Sequence, residues 1–218
     1  MNATYGEFSR AEIYSFLAAV FLREPDLQSL AKQLYVLQLA ADYPPADEAL
    51  VDEIRQQYFD SFFIPMSASY TPPFESTLLG YAADKRFGSL CSPAMHEVMS
   101  LYMAVGFDPA QLDIFEPLRE IAMPDHIGFE LAFMAFLALQ EETAHRRGGG
   151  EAAEKWAEWQ RVFLVQHLSR WLPQLAAALA DRQAGYYADA AQYAADWVQV
   201  DLDELQDGLK EGCSRGQQ

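Results

Sequence analysis

Apolar residues recur every three or four positions along almost the whole chain, and that periodicity leaves little room for any element but the helix. Alternation with a period of two, bounded by turn residues, is hard to find, so the expected fold class is all-α: an irregular multi-helix bundle. Ile13, Phe16, Leu17, Val20 and Phe21 form the first stripe and predict a helix from Glu7 to Arg23. Pro25 ends it, because the residue before a proline avoids the helical region. Leu27, Leu30, Leu34, Leu37 and Ala41 predict a second helix from Asp26 to Ala41. Leu50, Ile54, Tyr58 and Phe62 predict a third from Asp47 to Phe63, broken at Pro65.

The middle of the chain is less regular. Three prolines with Ser67, Ser69 and Thr71 make residues 65–73 a loop. Helix resumes near Pro73 through Tyr81 and again, after Pro93, from Ala94 to Val105. A helix from Asp125 to Arg147 is apolar over most of its circumference and therefore central. Gly148, Gly149 and Gly150 form a flexible joint. The helix from Glu151 aligns Trp156, Trp159, Phe163, His167 and Trp171 as far as Pro173, whose missing amide donor predicts a kink or restart. A last helix covers Tyr186 to Leu205, and the polar end from Glu211 frays. No fixed period marks a solenoid. The expected organisation is a single domain over residues 1–218, with a less regular half (1–122), a helical half (123–218) and a hinge near 148–150.

Composition narrows the partners. With 51% hydrophobic residues in 218, the chain buries a core without disulfides. Its 32 acidic and 15 basic residues give a net charge of -17, which repels phosphate backbones and anionic lipid and favours a basic peptide. Cys91 and Cys213 are far apart and form no Cys-x-x-Cys pair, as suits a reducing cytoplasm. Met1 to Arg10 lacks the pattern of a secretory signal, and no apolar run spans a bilayer. The expected location is the cytoplasm.

Three constellations carry the chemistry. In the first, Pro72, Pro73, Phe74, Glu75 and Ser76, Thr71 is placed to cap a helix and Glu75 to complement its dipole, while Tyr70 and Phe74 flank a polar loop as a partly exposed aromatic pocket. In the second, Pro124, Asp125 and His126, Asp125 is the expected N-cap of the central helix, and His126 is either a proton-sensitive contact or a satisfied polar group. In the third, Phe163, Leu164, His167, Leu168, Trp171 and Pro173, His167 is expected in the core, bonded to a backbone carbonyl.

Glu142 and His145 form one Glu-x-x-His pair of the kind found in di-iron bundles. The second pair is missing, so no metal is expected. Phosphate loops, nucleophile elbows and zinc-protease motifs are absent too, so neither an enzyme nor a cofactor is indicated.

In this order on a helical chain, these segments resemble the TorD/DmsD/NarJ family of redox-enzyme maturation chaperones. Ile13 to Phe21 with Pro25 looks like the family's opening segment, and Pro72 to Ser76 like its Pro-Pro-aromatic-Glu-Ser signature. Pro124 to His126 with Glu130, Leu131, Phe133 and Met134 resembles its central helix, and the run from Phe163 to Pro173 a further segment. The resemblance implies a TorD-like fold and an assembly chaperone. The partner it implies is the catalytic subunit of a molybdopterin oxidoreductase, with that subunit's N-terminal leader peptide. It also places Asp125 and His126 in the client-binding region, with Phe74 to Ser76 close by.

Paired arginines and an apolar stretch in such a leader need carboxylates and a greasy groove. The expected client-binding residues are therefore Tyr70, Phe74, Glu75, Ser76, Pro124, Asp125 and His126, with Glu75 or Asp125 engaging the arginines. The glycine joint predicts a domain-swapped dimer beside the monomer. The alternative readings are a helical interaction or regulatory module and, third, a helical-bundle metalloenzyme.

Overall fold

The computed structural model describes residues 8–39, 42–81 and 85–215, with side chains as far as Asp207. Helix α1 (Arg10–Leu22) opens with a reciprocal capping box in which Ser9 accepts from the Glu12 amide and the Glu12 carboxylate accepts from the Ser9 amide. This box satisfies two of the amides that a helix start leaves free. Helix α2 (Leu27–Val36) starts on Asp26 and α3 (Glu48–Phe62) on Asp47. A four-residue helix, α4 (Glu75–Leu78), follows the proline loop, then α5 (Pro93–Val105) and the short α6 (Glu116–Arg119). The second half holds α7 (Ile127–Arg146), α8 (Gly150–Phe163), a π-helical turn (Leu164–Leu168), α9 (Ser169–Asp181) and α10 (Tyr186–Arg215).

Helix α7 is central because its first turns are covered on every side: Ile127 to Ala135 are all buried, and Glu130 is the one charged residue among them. Helix α1 lies along one of its faces and α8 along another, while α10 packs on α9. Gly128 permits the first of these contacts: a Cβ there would lie 2.4 Å from the Leu22 Cγ. The architecture is all-α, and among the described residues the extended pairing is one antiparallel bridge, Phe74 to His126.

Several expectations change. The second helix ends at Val36, and Gln38 takes φ 57 in the turn beyond it; Ala41 lies outside the described residues. The segment expected as helix from Pro73 to Tyr81 is interrupted: it is helical over Glu75–Leu78, turns at Leu79 and Gly80, and is helical again at Tyr81. Pro173 causes no break, since it lies inside α9, and the irregularity sits one turn earlier in the π-helical segment. That widened turn ends at Leu168, immediately before Ser169, whose carbonyl the Pro173 ring must clear. The last helix continues to Arg215.

Candidate functional site

The bridge between Phe74 and His126 brings together the first two constellations, whose Ser76 and Asp125 are 49 positions apart in sequence. Glu75 N donates to the Asp125 carbonyl at 3.0 Å, and Ile127 N donates to the Pro73 carbonyl at 3.0 Å. The Asp125 carboxylate accepts from Ser76 N at 2.9 Å, so it serves the start of α4 rather than its own helix. The N-cap of α7 is His126, whose Nδ1 accepts from Gly128 N at 3.1 Å. The expected Asp125 cap is thereby corrected: once residue 126 enters the bridge, its ring is the acceptor aimed along α7, and Asp125 turns towards α4. Thr71 does not cap α4 either, since no side chain of its N-terminal flank does.

Below the bridge lies a buried polar cluster built from all three constellations. The side chains of Glu75, Asp125 and Glu130 have no exposed surface, and His126 and His167 have almost none. His167 Nδ1 is 2.8 Å from Glu75 Oε2, and its ring stacks on Phe163 with centroids 4.9 Å apart. His167 is a core histidine as expected, but its partner is a carboxylate and not a backbone carbonyl. The π turn advances the backbone by one residue and so aims the ring at α4. Trp171 Nε1 donates to Glu130 Oε2 at 3.0 Å, and Tyr102 donates its hydroxyl proton to the Pro124 carbonyl at 3.0 Å.

Electrostatics set the protonation of two members. Burial alone pushes the His126 imidazole from 6.5 down to about 3, so it is a neutral acceptor at its cap. Burial, then the charges of Glu75 and Asp125, hold the Glu130 carboxyl well above the usual carboxylate range, against the Trp171 hydrogen bond that lowers it. Four atoms of the cluster have no hydrogen-bond partner: Glu75 Oε1, Asp125 Oδ1, Glu130 Oε1 and His167 Nε2.

Of the seven expected site residues, Phe74, Glu75, Ser76, Asp125 and His126 are brought together and buried, while Tyr70 and Pro124 are half-buried. Phe74 lies edge-on to the His126 ring, at 5.5 Å between centroids, and so does not open an aromatic pocket with Tyr70. The sequence reasoning gave Glu130 and Trp171 no role in the site. The signal for Glu130 was available: it is the lone acid in the apolar run from Ile127 to Ala138.

A groove with a volume of about 1070 Å³ lies elsewhere, between α1, α7 and the loop 106–113. Ala11, Phe16, Ala18, Ala135, Phe136 and Leu139 give it apolar walls, and both acidic and basic side chains line it as well. Leu22, which Gly128 accommodates, also lines it, so the start of α7 shapes both the groove and the buried cluster. Among the described residues no group of three or more His, Cys, Asp and Glu is arranged to hold a metal ion, and His145 is 3.8 Å from Glu141 at an exposed helix end. No described helix is long and apolar enough to cross a membrane.

The family model described as nitrate reductase delta subunit matches residues 24–177, a span that includes the α4 segment, the start of α7 and the π turn. The chain belongs to the nitrate reductase delta subunit family. Among relatives, it is 43% identical over 70 residues to the chlorate reductase assembly chaperone protein of Ideonella dechloratans, covering 32% of this chain and 33% of that one. It is 41% identical over 70 residues to the selenate reductase assembly chaperone protein of Thauera selenatis, with the same coverage. These two matches span about a third of each relative's length. The chaperone protein TorD of Vibrio cholerae is 28% identical over 216 residues, covering 90% of this chain and 93% of that protein.

Proposed function

We propose that this chain is an assembly chaperone for a molybdopterin-cofactor oxidoreductase, holding the catalytic subunit through its N-terminal leader, in the cytoplasm, until the cofactor is inserted. The observation that carries the reading is the family match over 24–177, whose span contains every segment of the buried acidic cluster. Two relatives named as reductase assembly chaperones support it. The role is one of binding, and no chemical step is assigned to any residue.

The physical requirements of such a client are an acidic receptor for guanidinium groups and an apolar bed for the following stretch. The groove between α1 and α7 offers the bed. Tyr70, Phe74, Glu75, Ser76, Pro124, Asp125 and His126 are proposed as the client-binding region. Most of them are buried, so they act on the client by shaping the start of α7 or by becoming accessible when the α4 segment moves.

The test is isothermal titration with a panel of twin-arginine leader peptides and arginine-to-alanine controls, at low and moderate salt. Salt-sensitive binding, micromolar or tighter, to one leader and not to its control is expected. Failure to bind any leader or any mature client apoprotein would sink the reading. Asp125→Asn keeps an acceptor for Ser76 N while removing the charge, and it is expected to weaken leader binding at least tenfold. Wild-type affinity in that variant would remove Asp125 from the receptor.

The protein is further proposed to exist as monomer beside a domain-swapped dimer. Gly148 takes φ 73 between α7 and α8, a conformation that side chains disfavour, so this joint is the place where the two helices can separate. Light scattering that finds monomer at every concentration after size exclusion would exclude the dimer.

A further inference from the structure

Glu75 comes from α4 and Glu130 from α7; both are fully buried, Glu75 is a hydrogen-bonding neighbour of Glu130, and one oxygen of each, Glu75 Oε1 and Glu130 Oε1, has no other partner. Their other oxygens are engaged: Glu75 Oε2 with His167 Nδ1 and Glu130 Oε2 with Trp171 Nε1. The groups that face the pair are Asp125 from the turn before α7, His126 at its cap, His167 from the π turn, and Tyr102 from α5. The main influences on Glu130 are burial, Glu75, Trp171 and Asp125, with no arginine or lysine among them. A third carboxylate, Asp125, adds negative charge. Two adjacent buried carboxyls beside a third, Asp125, are not both ionised, because the desolvation of neighbouring like charges is prohibitive.

We infer that Glu130 is protonated in the closed molecule and donates its proton to Glu75, and that this hydrogen bond latches the 72–78 segment onto α7. The proton satisfies both orphaned oxygens with a single bond. It completes a chain in which Trp171 donates to Glu130, Glu130 to Glu75, and His167 also to Glu75. The backbone bonds Glu75 N to Asp125 O and Ile127 N to Pro73 O are the rest of the fastening. Losing the proton places two like charges on either side of the latch, which repel and free the segment. The cluster then presents Glu75, Asp125 and Glu130 as an anionic receptor for a guanidinium group. The identity of that cation, a leader arginine, rests on the chaperone reading; the latch does not.

The sign follows from the Glu130 shift. Its proton is held more tightly in the folded protein than in the unfolded chain, so the latch is fully present in acid. It is lost as pH rises through the folded-state value. Glu130→Gln replaces the shared proton with an amide that donates to Glu75 at every pH, while its oxygen still accepts from Trp171.

The experiment joins infrared spectroscopy to hydrogen exchange on the full chain. Wild type at pH 7 is expected to show a protonated carboxyl C=O band that disappears in Glu130→Gln. The protection of the Glu75 and Ser76 amides, corrected for intrinsic base catalysis, is expected to fall at least threefold as pH rises in wild type and to stay constant in Glu130→Gln. If that variant does not fold, Glu75→Gln serves, since its amide can donate to Glu130 and it too removes one of the paired charges. Absence of the carboxyl band, or equal pH dependence of exchange in wild type and variant, overturns the latch.

Titration with a twin-arginine leader then separates the two ideas. Affinity that rises with pH in wild type and is flat in Glu130→Gln supports the latch as the gate of the client site. A band and exchange behaviour as expected, with no leader bound at any pH, keeps the latch and removes the leader as its cation.

Discussion

The first turn of α7 shows how much rests on single atoms. Gly128 has no side chain because Leu22 occupies that space: an added Cβ would sit 2.4 Å from Leu22 Cγ and 2.5 Å from its Cδ2. Gly128→Ala is therefore expected to lower stability by about 1–3 kcal/mol in urea unfolding, although alanine favours helix elsewhere. A neutral or stabilising result would mean that α1 can slide away from α7 at no cost. His126 makes the second case. The unfolded chain takes up its proton near 6.5 and the folded protein near 3, so between those values the unfolded state holds more protons. Stability is intact above 6.5 and falls as the solution is acidified, by an amount on the order of 4 kcal/mol at the low end. His126→Asn retains an acceptor for Gly128 N and removes the titration, so its thermal midpoint is expected to fall less steeply between pH 6.5 and 3. The sequence reading placed these residues correctly at a helix start and misassigned which one caps it. Local preference names Asp125, and only the distant Phe74 strand position reverses the order.

At the level of elements, the long helices were legible because their apolar stripes are strong and local: α1, α3, α5 and α7 begin and end within three residues of where periodicity and proline place them. The joins were not. Helix α4 exists as four residues whose start is served by Asp125 from elsewhere in the chain, so no pattern within residues 70–81 fixes its length. The π turn is similarly hidden, because Phe163, His167 and Trp171 read as one ordinary stripe. What widens the turn is a set of tertiary demands: His167 must reach Glu75 while Trp171 reaches Glu130. These dependencies predict that Asp125→Ala, which leaves Ser76 N without its acceptor, destabilises by about 0.5–2 kcal/mol, the usual range for a lost cap. Asp125→Asn is expected to recover most of that loss. Chemical denaturation of the pair decides it, and equal losses in both variants would show that the charge, not the acceptor, supports α4.

Across the whole molecule, the helices near the two ends of the chain are tied together by a polar network that no local reading reveals. Arg10 at the start of α1 binds the Asp201 carboxylate of α10 through Nε, Glu141 of α7 at 2.9 Å and Gln160 of α8 at 2.6 Å; Tyr14 donates to Asp201 at 2.7 Å. Asp201 is fully buried, whereas the Arg10 side chain keeps a quarter of its surface in solvent. Burial and the Asp201 charge set the Arg10 guanidinium in opposite directions, and its partners prevail, raising its affinity for the proton. The two halves of this pair should therefore not be equivalent. Removing Asp201 leaves Arg10 with Glu141, Gln160 and water. Removing Arg10 strands a buried carboxylate whose remaining hydrogen-bond partner among the described residues is the Tyr14 hydroxyl, beside a second acid. Arg10→Ala is expected to cost about 3–5 kcal/mol, the range for an orphaned buried charge, and Asp201→Ala clearly less. Urea unfolding of both variants and the double mutant tests this: the double mutant should be more stable than Arg10→Ala alone. If it is instead the least stable of the three, the two residues contribute through separate packing, and α1 is held to α10 by its apolar contacts and not by this charge.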